Sequence, residues 1–120
     1  MKKNYDPLGN KSFSLAMKIV KLQKRLQAEE REYAISKQLF SAGTLTGVLI
    51  RESFSAQSDR EFVKKFYKAK EHCFETIYWL EILHQSKLIE KQEFENLKNL
   101  SLEIIKMIAS SIRTKKKNIK

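Results

Sequence analysis

Four sets of residues in this sequence could do chemistry. Glu81-Ile82-Leu83-His84 reads E-x-x-H, the spacing with which one helix offers a carboxylate and an imidazole to a di-metal centre. His72 stands next to Cys73, the chain's single cysteine, as a base would stand beside a thiol nucleophile. Glu71 and Glu75 are two carboxylates four residues apart. The fourth set is cationic: Lys11, Lys18, Lys21 and Arg25, then Lys64 and Lys68, then the run Lys115, Lys116, Lys117. Cations at helical spacing can track a phosphate backbone.

The first three sets have plainer readings. A ferritin-like di-iron site needs E-x-x-H twice, plus a glutamate from each of two further helices. The chain has two histidines, and Ala69 stands where an acid would have to precede His72. Neighbouring helical residues point about 100° apart, so His72 and Cys73 diverge, and Cys73 falls on an apolar stripe where a buried structural thiol is expected. Glu71 and Glu75 sit below Lys64 and Lys68 and read as partners in i, i+4 ion pairing on a wet face. The glycines at 9, 43 and 47 fit no phosphate loop. The expectation is a protein without enzymatic activity, cofactor or metal.

The cationic set is supported by where the charge lies. The net charge of +10 is uneven. Residues 1–30 hold seven Lys/Arg against three Asp/Glu, residues 31–105 hold eleven of each, and residues 106–120 hold six Lys/Arg and no acid. Basic ends around a neutral middle point to a polyanion partner. A frayed basic tail that aids solubility gives the same pattern, and both readings stay open.

These residues must be positioned by helices. One proline and three glycines in 120 residues are too few for a turn-rich β fold. Segment one, about 12–27, repeats Leu15, Ile19, Leu22 and Leu26, widened by Phe13, Ala16 and Val20. Segment two, about 30–53, contains the uncharged stretch QLFSAGTLTGVLI. Its Thr and Val residues tempt a strand assignment, yet Ile35, Leu39, Ala42, Thr46, Ile50 and Ser53 keep helical spacing throughout. Small residues at its centre, with Gly43 and Gly47 beside them, predict a tight approach by a neighbour. At thirteen residues the stretch is too short to cross a bilayer. Segment three opens with Ser58-Asp59-Arg60-Glu61, a capping box, and carries Phe62, Phe66, Ala69, Cys73, Thr76, Ile77, Leu80 and Leu83 as a core stripe. Segment four, about 91–113, places Phe94, Leu97, Leu100, Ile104 and Met107 on one face. Short loops between long helices predict an all-α, antiparallel up-down-up-down four-helix bundle over 12–113, with an extension at 1–11 and a basic tail at 114–120.

Two segments carry more apolar surface than one core needs. Segment three has a second stripe, Val63, Tyr67, Phe74 and Tyr78; segment four has a flank of Leu102, Ile105, Ile108, Ala109 and Ile112. Their organisation as stripes favours a self-association surface, with Val63, Tyr67, Phe74, Tyr78, Leu102, Ile105, Ala109 and Ile112 as its residues. Scattered surface aromatics are the alternative, and a base-stacking platform made of Tyr67, Phe74 and Tyr78 is a third. The lone cysteine and the lack of an apolar leader fit a reducing cytoplasm and no membrane association.

The stretch from Gln38-Leu39 through Ala42-Gly43-Thr44, Gly47, Arg51-Glu52-Ser53, Ala56-Gln57-Ser58, Glu61-Phe62, Lys70-Glu71, Glu75-Thr76 and Tyr78-Trp79-Leu80-Glu81 resembles the bacterial "four helix bundle protein" family. That family includes proteins encoded in intervening sequences of large-subunit ribosomal RNA and the accessory variability determinant of diversity-generating retroelements. The resemblance covers roughly residues 12–112. It implies an antiparallel bundle that assembles as a ring-like homo-oligomer, often a homopentamer. In the retroelement relatives it implies binding of nucleic acid and of a reverse transcriptase. Leu45 and Leu49 stand where members commonly have Ser and Asn, so a contact that those polar groups make would be missing here.

Overall fold

A computed structural model describes residues 6–119; residues 1–5 of the extension and Lys120 of the tail lie outside the described residues. The described chain forms four helices and no strand: α1 Pro7–Glu29, α2 Ala34–Ser53, α3 Asp59–Gln85 and α4 Lys91–Lys116. They pack as an up-down-up-down bundle with extents of 50 × 30 × 22 Å. Each helix meets its neighbours in sequence, and α4 closes the bundle against α1 along the thinnest seam.

Local signals set the helix ends. The Ser58 hydroxyl accepts from the Glu61 amide at 3.1 Å, and Glu61 Oε1 accepts from the Gln57 amide at 2.9 Å, so the expected capping box forms, displaced by one residue. α1 begins at Pro7, five residues before the expected start. The Asp6 carboxylate accepts from the Gly9 amide at 2.9 Å, and Pro7 occupies the first turn, where its missing N–H costs nothing. The supposed extension is therefore helical from residue 7 onward. α2 starts at Ala34 and not near residue 30, because Arg31 takes a positive φ of 53° that ends α1. The Glu32 carboxylate then accepts from the amides of Ile35 and Ser36. At its far end α4 runs three residues past Arg113 and takes Lys115 and Lys116 into the helix, where cations favour the negative end of the dipole.

The interior is built from the expected stripes. Leu15, Ile19, Leu22 and Leu26 of α1 face Leu39, Ala42 and Ile50 of α2, with Phe66, Leu80 and Leu83 of α3 and Ile104 and Ile108 of α4 beneath them. Six small polar residues are buried as well: Ser12, Ser36, Thr46, Ser53, Thr76 and Ser101. Each hydroxyl donates to a carbonyl three or four residues earlier in the chain, at 2.6–3.1 Å. Their polarity is satisfied locally, so they let helices approach without leaving an unpaired group. Gly43 marks the close approach of α2 to α1: a Cβ there would overlap the Cδ1 of Ile19.

Two expectations about apolar surface need correction. Val63, Ile105 and Ile112, expected to face other subunits, are only 8%, 8% and 4% exposed and belong to the single chain's own core. The apolar arc of α4 is wide because α3 covers one flank of it and α1 another. Conversely, Phe13 does not widen the core stripe of α1. It is 55% exposed and points away from the interior, and Ala16 and Val20 border the same outward hollow.

Candidate nucleic-acid and assembly surfaces

The cationic residues do not form one patch. On α1, Lys11 pairs with Glu103 at 3.1 Å, and Arg25 makes a two-pronged bond with Glu93 at 2.6 and 3.1 Å. The Glu93 bonds raise the Arg25 pKa above its already high value. Both ends of the expected α1 ridge thus stitch α1 to α4 and are engaged within the chain. Lys18 and Lys21 remain exposed between them. Lys64 and Lys68 are exposed on α3, on the flank next to Lys65, which reaches Glu52 of α2 at 3.3 Å. That flank lies across the bundle from Lys18 and Lys21.

One end of the bundle does gather cations. Where α3 begins and α4 ends, a cleft of about 330 Å³ is lined by Arg60, Val63, Lys64, Tyr67, Lys116 and Ile119. The Lys116 ammonium lies 3.3 Å from the Tyr67 hydroxyl. Lys70 lies 5.1 Å from the centre of the Tyr67 ring. Lys115 pairs with Asp59 at 3.2 Å and lies 4.7 Å from the centre of the Phe62 ring, so it serves the bundle before it serves a ligand. Lys117 is exposed beyond them. Cations around an exposed aromatic ring can hold a phosphate and offer a surface for stacking. Arg60 was not singled out from the sequence. It is one helical turn from Lys64 in the i, i+4 sense, and that spacing was the available signal.

The exposed apolar residues occupy two faces. One is the expected stripe on α3: Tyr67, Phe74 (52% exposed) and Tyr78 (57%), continued on α4 by Leu102 and by half-buried Ala109. The other was missed. Between α1 and α2, on the side away from the core, Phe13, Met17, Val20, Phe40, Val48 and Phe54 line a hollow of about 560 Å³. Phe13 and Met17, and Phe40, Thr44 and Val48, step by four residues, so a second stripe was present in the sequence on both helices.

The remaining candidate chemistry is dispersed into ordinary contacts. Glu81 reaches Lys98 at 4.0 Å, while His84 stacks on Phe94 with ring centroids 4.6 Å apart. His72 contacts Glu75 at 3.3 Å, and the other oxygen of Glu75 accepts from the Trp79 indole at 3.1 Å. The Cys73 thiol is buried and donates to the Ser101 carbonyl at 3.4 Å. Burial pushes its pKa up to about 12, which holds it in the unreactive thiol form. Among the described residues no three His, Cys, Asp or Glu side chains converge as a ligand set, and no helix is long and apolar enough to cross a membrane.

Comparison with known proteins agrees with this architecture. A crystal structure of a protein of unknown function from the S23 ribosomal protein family of Bacteroides thetaiotaomicron superposes with a TM-score of 0.86 at 39% identity, covering 88% of this chain and 97% of that one. No curated protein matches the chain. The model of the 23S rRNA-intervening sequence protein family matches residues 8–110, which takes in α2 and α3 whole, nearly all of α1 and most of α4. Because that match spans most of the chain, the protein belongs to the 23S rRNA-intervening sequence protein family.

Proposed function

We propose that this chain is a non-enzymatic, self-associating basic bundle that binds RNA or DNA through phosphate contacts, as an accessory to a nucleic-acid enzyme such as a reverse transcriptase. The observation that carries this reading is the cation-lined cleft at the start of α3 and the end of α4, with Tyr67 at its centre. The family description, which ties the family to an intervening sequence of ribosomal RNA, supports a nucleic acid over other polyanions. Contacts from these cations to phosphate position the nucleic acid and carry no sequence information, so sequence preference is low. Lys64, Lys116 and Lys117 with Arg60 make the main contacts; Lys18, Lys21 and Lys68 add weaker ones. Lys11, Arg25 and Lys115 act indirectly, through their carboxylate partners. A ring-like homo-oligomer, a homopentamer by resemblance, would repeat the cleft and multiply its affinity.

Filter binding of a short RNA at two salt concentrations tests the proposal. The expected result is binding that falls steeply with salt, as released counterions demand. Binding without a salt slope, or unchanged by removal of residues 114–120 together with Lys64, ends the idea. A second reading, a protein-interaction scaffold with incidental basic ends, is favoured by one observation: the two large exposed aromatics Phe74 and Tyr78 stand away from the cationic cleft. Capture of a single protein partner that competes with self-assembly would support it.

A further inference from the structure

We propose that the cleft at the start of α3 and the end of α4 takes a single-stranded nucleic acid, with one unpaired base stacked on the Tyr67 ring and the flanking phosphates on Lys64 and Lys116. The inference rests on the nucleic-acid reading above and adds the class of strand that the cleft accepts. Its starting point is that the cleft is only half cationic. Arg60, Lys64 and Lys116 supply exposed charge, while Val63, Tyr67 and Ile119 supply the rest of the lining. Val63 belongs to the core and Ile119 packs against it, so the apolar part is anchored to the bundle. In a double helix the bases are stacked within, and the phosphates are what meets a protein's cations. A duplex would satisfy the charges and leave the apolar lining unused. A single strand offers both parts together, phosphates for the cations and a flat base for the ring. At about 330 Å³ the cleft lies at the small end of pockets that hold small ligands, which suits one base and not a base pair.

The surroundings of Tyr67 favour this exchange. The ring is exposed, with Lys70 at 5.1 Å and Lys116 at 5.8 Å from its centre. Among the described residues neither ammonium pairs with a carboxylate, whereas Lys115 is held by Asp59. Both lysines can swing from the ring to a phosphate, and the swing bares the ring for a base. A cation over an exposed ring is held more weakly than a base stacked on one, so the exchange runs toward the bound strand. Phe74 and Tyr78 share the stripe on α3, yet of these three rings the lysines gather at Tyr67 among the described residues. Stacking therefore falls to one ring, and to one nucleotide per chain. Electrostatics pulls the other way. A duplex carries the denser charge, so cations alone would favour it. A preference for the single strand has to come from the ring.

Anisotropy titrations of the full chain separate the two contributions. The probes are a short labelled single strand, a blunt duplex of the same sequence, and a strand of equal length whose sugars carry no bases. At moderate salt the single strand should bind about tenfold tighter than either of the others. Tyr67→Leu should remove that advantage and leave the duplex unchanged. Tyr67→Phe, which keeps the ring and loses the hydroxyl beside Lys116, should bind as the unaltered chain does, and Tyr67→Trp at least as tightly. Helical circular dichroism checks that the variants fold, and the base-free strand tests the unaltered chain without any substitution. If the duplex or the base-free strand binds as tightly as the single strand, the inference is overturned while phosphate binding stands. If Tyr67→Phe loses as much as Tyr67→Leu, the hydroxyl's hold on Lys116 carries the effect and stacking is refuted. If none of the three probes binds with a salt slope, the nucleic-acid reading falls and takes this one with it.

Discussion

The α1–α2 half of the bundle and the α3–α4 half are fastened differently, and the fastening shapes their outer surfaces. Between α1 and α2 the seam closes by subtraction. Gly43 has no side chain, so Ile19 fills its place, and Gly47 and Ser12 keep the backbones near each other beyond it. The same small residues leave the outside of that pair hollow. Between α3 and α4 the seam closes by filling. Cys73 reaches the Ser101 carbonyl, Ile105 and Ile112 pack inward, and the large aromatics of α3 that find no room inside stand out on the surface. A close seam thus gives a groove and a filled seam gives a ridge, from one chain with one core.

The largest effect expected from probing this contrast is on the filled seam, through pH. The Cys73 thiol has its pKa raised from 9.0 to about 12 by burial. In the unfolded chain it ionises near its ordinary value, while the folded chain keeps the proton. The unfolded state therefore holds fewer protons above pH 9, and stability falls as pH rises. The contribution is fully present below about pH 9 and lost by about pH 12, and is on the order of 4 kcal/mol. Denaturant melts of the unaltered chain and of Cys73→Ser across that window should diverge. The serine hydroxyl keeps a donor for Ser101 and does not titrate there, so its curve should be flatter. Parallel curves would show that the thiol is not shielded.

Next in size is the close seam. Gly43→Ala adds a methyl where the terminal Cδ1 of buried Ile19 already sits, so that side chain must turn aside within the core. Overpacking of this kind costs about 1–3 kcal/mol, more than the helix propensity gained. Thermal or urea unfolding measures it. A neutral result would mean that the Ile19 terminal methyl turns aside at no cost and that the seam is not tightly closed there.

The two halves should also differ as cation carriers. Replacing Lys64 and Lys116 together by glutamine should lower the slope of log K against log salt by about 1.5 for a nucleic acid and weaken binding about tenfold at moderate salt. Replacing Lys11 and Arg25 should change the slope less, because Glu103 and Glu93 already engage them. Equal effects would place phosphate on the α1–α4 seam as much as at the cleft, and an effect only at Lys11 and Arg25 would move it off the cleft.

Periodicity made the interior legible and the exterior only partly so. Leu15, Ile19, Leu22 and Leu26, and Phe66 through Leu83, could be placed on buried faces because a 3.6-residue repeat names a face directly. It does not say how many neighbours cover that face. Hence Val63, Ile105 and Ile112 read as surplus, although α4 packs against two helices and buries them. Phe13, Val20 and Ala16 read as core-widening because they are apolar and near the stripe, although the two-helix floor under them turns them outward. Asp6-Pro7 carried the signal for the true start of α1 in plain residues, a cap followed by a first-turn proline. The pairing of Lys11 with Glu103 and of Arg25 with Glu93 spans too many residues for any local pattern to announce.

The smallest expected effect is the one that separates folding from assembly. Gly47 lies four residues from Gly43, yet a Cβ there would meet Ser12 only at 3.6–3.8 Å, an ordinary contact. Gly47→Ala should therefore stabilise the isolated bundle by about 0.5–1 kcal/mol, the helix-propensity difference, with no strain to offset it. Gly47 also lines the hollow between α1 and α2. If that hollow is merely an uncovered surface, a methyl on its floor is harmless and both melting temperature and mass in solution show only the gain. If a neighbour's ridge fills it, the same methyl raises the floor and loosens assembly while the lone subunit grows more stable. Unfolding and light scattering on one variant would then move in opposite directions. A substitution that affected only the fold could not produce that divergence.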